Sequence, residues 1–130
     1  MSCLKYDAVP AILLTMKIHY TVVEFCPSAC WALLNIAANN ECREVCIKYD
    51  AVSIILSLMK IHSSVANVCH YACRALYNIG WSDTTHRSVI VAAGAIPVLV
   101  AVYNRHSGDA KAKANETLQK LGYSTNGTKN

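Results

Sequence analysis

Apolar residues recur three and four apart along most of the chain, and short polar or glycine-bearing breaks interrupt them roughly every dozen residues. The clearest stretch is Cys30-Trp31-Ala32-Leu33-Leu34-Asn35-Ile36-Ala37. It returns 43 residues later as Cys73-Arg74-Ala75-Leu76-Tyr77-Asn78-Ile79-Gly80, and in a worn form as Glu116-Thr117-Leu118-Gln119-Lys120-Leu121-Gly122. Each copy predicts a helix with one face turned to a core. In both intact copies an Asn lies between the apolar positions, on a side of the helix that need not be buried.

Residues 3–37 laid over 46–80 without a gap give 20 identities in 35 positions. A tandem duplication explains this agreement, and a repeated unit cannot bury its apolar face alone, so stacking is expected. Within the middle unit the pattern predicts helices over about 40–49, 52–62 and 65–79. The last carries the stripe Val65, Val68, Cys69, Ala72, Leu76 and Ile79. Gly80 falls where a helix end favours a left-handed residue. Pro10 and Pro97 fall in the first turn of a second helix, where a missing N–H costs nothing. Pro27 predicts that the first unit's third helix starts late or kinks. The third unit opens at Gly94-Ala95-Ile96-Pro97, with Gly94 at the place of Asp50.

These units resemble the armadillo repeat, on the strength of Gly94-Ala95-Ile96-Pro97-Val98-Leu99-Val100 opening a second helix and Ala29–Ala37 closing a third. HEAT repeats have two helices per unit, and the short extra helix tells against them. The resemblance covers residues 1–122. It implies an all-α, right-handed armadillo-like solenoid of about three three-helix repeats, with units near 1–38, 39–81 and 82–122. The last third helix, with Lys111, Lys113, Glu116, Gln119 and Lys120, is polar enough to end a stack in water. Residues 123–130 read as a disordered polar tail. The first unit begins midway through its short helix, so Ile12, Leu13, Val22 and Leu33 are expected on an uncovered end face, a site for further repeats or a second copy.

Composition narrows the function. More than half of the residues are apolar (54%) and 15% are charged, as suits a folded domain, and no apolar run reaches the ~18 residues of a membrane span. A formal charge of +4 is too small to argue for nucleic acid. The N-terminus lacks the order of a signal peptide, and seven cysteines cannot all pair within one chain. Reduced thiols in the cytoplasm or nucleus are therefore expected. The pairs Cys26/Cys30, Cys42/Cys46 and Cys69/Cys73 have the spacing of one helix face, yet they sit where the repeat wants small apolar residues, so no metal is assigned to them. His19, His62 and His106 end successive second helices, too far apart to meet at one catalytic point. No phosphate loop or nucleophile motif appears, and the expectation is a protein without catalytic residues or cofactor.

The resemblance also implies where a partner binds. In armadillo proteins the third helices line a concave groove. In importin-alpha, Trp and Asn one turn apart hold the side chains and backbone of an extended basic peptide. Trp31 and Asn35 match that pair. Asn78 matches the Asn, with Arg74 in place of the Trp, and Glu116 and Lys120 replace both in the third unit. Arg74, Lys113 and Lys120 would repel a basic chain, so the groove is closer to the beta-catenin kind, which takes acidic or mixed peptides. Trp31, Asn35, Asn67, Tyr71, Arg74 and Asn78 are the groove candidates, with Ser28 beside them. The competing reading is that Asn35 and Asn78 only bond backbone between repeats. Trp81 is expected to pack under the next short helix.

Overall fold

The first unit supplies two helices, α1 (Ala8–His19) and α2 (Cys26–Ile36), in the computed structural model, which describes residues 8–22 and 24–124. The second unit has three, α3 (Asn40–Lys48), α4 (Ala51–Ile61) and α5 (Ala66–Ile79). The third has α6 (Thr84–Ala92), α7 (Ala95–Arg105) and α8 (Gly108–Lys120). The described residues contain no strand, and none of these helices is long and apolar enough to cross a membrane. The expected short helix of the first unit and most of the polar tail lie outside the described residues.

The third helices α2, α5 and α8 pack side by side, with α5 between the other two. The second helices α1, α4 and α7 form a parallel row behind them, and α3 and α6 join the rows. Leu33, Leu76 and Leu118 hold the same place in α2, α5 and α8 and are fully buried. Each contributes about 1.5–3 kcal/mol over an exposed side chain. Val9 and Val52, and Met16 and Met59, repeat the arrangement in the second helices. The architecture is that of an armadillo-like α-solenoid.

Local chemistry repeats as closely. Asn39 and Asp83 cap α3 and α6, each side chain accepting two N–H groups of the first turn. Between the first and second helices the chain turns through the left-handed region, at Asp50 (φ 59°) and at Gly94 (φ 94°). The equivalence of these positions in the sequence is thus a shared backbone requirement. Pro27 sits in the first turn of α2, which starts three residues later than the equivalent point of α5 and does not kink. Gly80 departs from expectation, since its φ is −91°. A Cβ there would lie 3.1 Å from both Arg87 Cγ and Ile90 Cδ1, so close approach of α6 is what favours glycine. The left-handed glycine end belongs to α8. There Gly122 (φ 88°) turns the chain and the N–H of Tyr123 reaches back 2.9 Å to Leu118 O.

The end-face expectation is corrected at three of its four residues. Leu13 and Leu33 are core residues, and Ile12 is partly buried against the core. Leu13 is equivalent to Leu56, which faces inward too, so only Val22 is exposed as expected. One position further round the helix, Leu14 and Ile18 are 59% and 63% exposed. Their equivalents in α4, Ser57 and Ile61, line the furrow against α1, so Leu14 and Ile18 mark the face of α1 that a preceding unit would meet.

The left-handed turns give a stability test. Gly94→Ala should cost about 1–2 kcal/mol, because the added Cβ meets nothing within 4 Å and the penalty is purely conformational. Asp50→Gly should be neutral or gain up to ~1 kcal/mol, as relieved strain offsets added chain entropy. Urea unfolding of both variants checks this, and a loss at Asp50→Gly equal to that at Gly94→Ala would contradict it.

Candidate functional site

The face carried by α2, α5 and α8 is built from the positions that the apolar stripe leaves outside. Trp31 projects from α2 and is 53% exposed, because the inward positions around it belong to Cys30, Leu33 and Leu34. Asn35, one turn on, is exposed and donates from Nδ2 to Trp31 O at 2.8 Å within its own helix. Its Oδ1 and its second N–H are free to meet a peptide group.

Asn78 behaves differently. Its Nδ2 donates to Leu34 O of α2 at 2.7 Å, satisfying one of the last carbonyls of that helix. The two equivalent residues have thus diverged: Asn78 ties repeats together and Asn35 does not. Tyr71 and Arg74 of α5 meet each other, the guanidinium carbon lying 5.8 Å from the ring centre. Asn67 is exposed in the first turn of α5, and Ser28 is exposed in the first turn of α2.

Past Arg74 the face becomes an aromatic shelf under lysines. Tyr77 and Trp81 have ring centres 5.5 Å apart. Lys113 stands 4.6 Å from the Tyr77 ring, and Lys120 lies 4.2 Å from that of Trp81 and 5.4 Å from that of Tyr77. Trp81 was expected to pack under α6, but it is 46% exposed, and the ammonium of Lys120 stands over its ring. Glu116 is paired with Lys113 at 2.8 Å. Tyr77, Arg87, Glu116, Gln119 and Lys120 line a hollow of about 440 Å³ here. On this face cations over rings outnumber acids, which favours anionic or mixed ligands.

Two further sets of residues bind unit to unit, and both follow the repeat. Arg43, buried in α3, donates from Nε to Ala37 O at 2.6 Å and from Nη2 to Ala38 O at 3.1 Å, and its Nη1 meets Asn40 Oδ1 and Ser82 Oγ. Arg87, its equivalent in α6, donates from Nη1 to Gly80 O at 2.9 Å and Trp81 O at 3.3 Å. Each arginine closes the C-terminal end of the third helix before it. The second set is His62 and His106. Nε2 of His62 lies 2.5 Å from Tyr20 O, and Nε2 of His106 lies 2.7 Å from Ser63 O, the equivalent carbonyl one unit on. A carbonyl only accepts, so Nε2 carries the proton in both rings. His19 makes no such bond among the described residues; its ring is exposed, edge-on to Phe25. Laying the second unit over the third at a 44-residue offset would have paired both arginines and both histidines in advance.

The cysteines are mostly the small core residues expected. Cys26, Cys30, Cys46, Cys69 and Cys73 are free and buried. Burial pushes Cys46 and Cys69 up to about 11 and Cys30 to about 12, and raises Cys26 and Cys73 as well. They therefore stay protonated and unreactive at neutral pH. Cys42 is disulfide-bonded, so the expectation that every thiol is reduced fails there.

Residues 39–80 match the Armadillo/beta-catenin-like repeat, the span that holds α3, α4 and α5. No curated protein and no solved structure matches the chain. The third unit reproduces the matched unit's three helices, its side-chain cap and its arginine and histidine bonds at offsets of 42 to 44 residues, and the first unit reproduces the second and third helices at 43. The chain is an armadillo-like helical repeat protein.

Proposed function

We propose that this chain is a non-enzymatic protein-binding module that takes an extended, acidic or mixed peptide, or a helix, across the face of its third helices. The observation that carries the reading is the row of cations held over rings: Arg74 on Tyr71, Lys113 on Tyr77 and Lys120 on Trp81. Stacked on aromatic rings, these cations lose little freedom when they meet a carboxylate. At the other end of the row, Trp31 offers an uncovered indole and Asn35 an amide that can pair with a peptide unit. Asn78, already committed to Leu34 O, serves the scaffold. The same cations disfavour the Lys-rich ligands of an import adaptor.

Fluorescence anisotropy with one Asp/Glu-rich and one Lys-rich extended peptide tests this. The acidic peptide should bind more tightly, more weakly in high salt, and at least about tenfold more weakly to Arg74→Glu/Lys120→Glu. Preference for the Lys-rich peptide, or an unchanged double variant, would contradict the proposal.

A second reading, self-association or docking on further repeats, is favoured by one observation: Leu14 and Ile18 stand exposed one turn apart, on the side of α1 where α4 meets its own predecessor. Light scattering across a concentration series should give a dimer that Leu14→Lys/Ile18→Lys converts to monomer. A wild-type mass that stays monomeric throughout would remove this reading.

A further inference from the structure

The repeat departs from itself at the junction of α3 and α6. Position 42, fully buried in the second unit, holds Cys, whereas its equivalent 44 residues on is His86, a full imidazole that is only 5% exposed. The capping residue changes with it, from Asn39 to Asp83, which adds a charge that the cap itself does not need. Glu44 of the preceding unit completes the group. His86 Nε2 lies 3.2 Å from Glu44 Oε2 and 3.7 Å from Asp83 Oδ2, and the three prospective ligand atoms all lie within 4.8 Å of one another. Ligands held tetrahedrally on zinc at ~2.0–2.1 Å stand about 3.3–3.4 Å apart, so the two spacings from the imidazole are close to those of a metal site, and the exposed Glu44 side chain can move to close the third.

We propose that Glu44, Asp83 and His86 form a binding site for a divalent transition metal of the zinc class, clasping the second repeat to the third. Asp83 divides its work between its two oxygens. Oδ1 accepts the N–H groups of Thr85 and His86, and Oδ2 turns to the imidazole. Those backbone bonds, that from His86 foremost, hold its carboxyl below the usual range, so it is ionised at neutral pH. Arg43, which lines the same hollow, has Nε and Nη2 aimed at the carbonyls of Ala37 and Ala38 and Nη1 at Asn40 and Ser82, so its guanidinium is engaged away from the two carboxylates. A hollow of about 230 Å³ lined by Asn40, Arg43, Glu44, Ser82, Asp83 and His86 leaves room for water to complete the coordination. Nδ1 of His86 is buried and unpartnered, so the hydrogen-bonding and charged contacts of this ring are with the carboxylates.

The experiment is zinc titration of the full chain, free of any histidine tag, followed by calorimetry and by NMR of the His86 ring. One equivalent should bind, shift the His86 resonances and raise the unfolding temperature. Glu44→Gln, at a side chain 70% exposed and so harmless to folding, should weaken binding by about tenfold or more. Cobalt should give a visible spectrum without a thiolate charge-transfer band. Unmoved His86 resonances, an unaffected Glu44→Gln variant or a thiolate band would each overturn the proposal. The first of these would leave the trio as an ion pair only.

Discussion

Every helix ends with carbonyls that its own ladder cannot satisfy, and a stack of short helices multiplies that problem at each unit. In this chain the next unit supplies the missing donors. Arg43 closes Ala37 and Ala38, Arg87 closes Gly80 and Trp81, His62 reaches Tyr20, His106 reaches Ser63, and Asn78 reaches Leu34. A donor placed once per repeat fixes the register of two neighbours, because an imidazole or amide displaced by a turn would leave both itself and the carbonyl unpaired. Burial of the leucine and valine rows supplies most of the favourable free energy, and these bonds decide which stacking is used.

The same constraint shapes the binding face. A residue that serves the joint is withdrawn from ligand contact, which is why Asn78 and Asn35 part company although they hold equivalent places in α5 and α2. Residues not spent on a helix-end carbonyl remain on this face: Trp31, Arg74, and the lysines resting on Tyr77 and Trp81. The face is therefore basic and aromatic toward its C-terminal end and mostly neutral around Trp31.

Much of this was legible in the sequence, since period and burial are one-dimensional signals. Helix placement within a unit, the late start of α2 after Pro27 and the equivalence of Asp50 with Gly94 all followed from spacing. What was missed depends on direction around a helix. Leu13 and Leu14 differ by one position and about 100° of rotation, and the apolar pattern of α1 is too continuous to say which faces out. Trp81 is read as packed because a large indole usually finds apolar cover, and nothing near it in the sequence announces that a lysine of α8 stands over its ring instead. Arg43 and Arg87 look like ordinary surface charges on a short helix until the preceding helix end is placed beside them.

The three histidines that end the second helices provide the most direct measurement, since they are equivalent in sequence and two of them, His62 and His106, reach a carbonyl of the preceding unit. Urea unfolding of His19→Ala, His62→Ala and His106→Ala should show losses of about 1–2 kcal/mol for His62 and His106, each leaving a carbonyl unsatisfied at a joint, and little change for His19. Equal losses at all three positions, or none at His62 and His106, would contradict the account of units joined through their helix-end carbonyls.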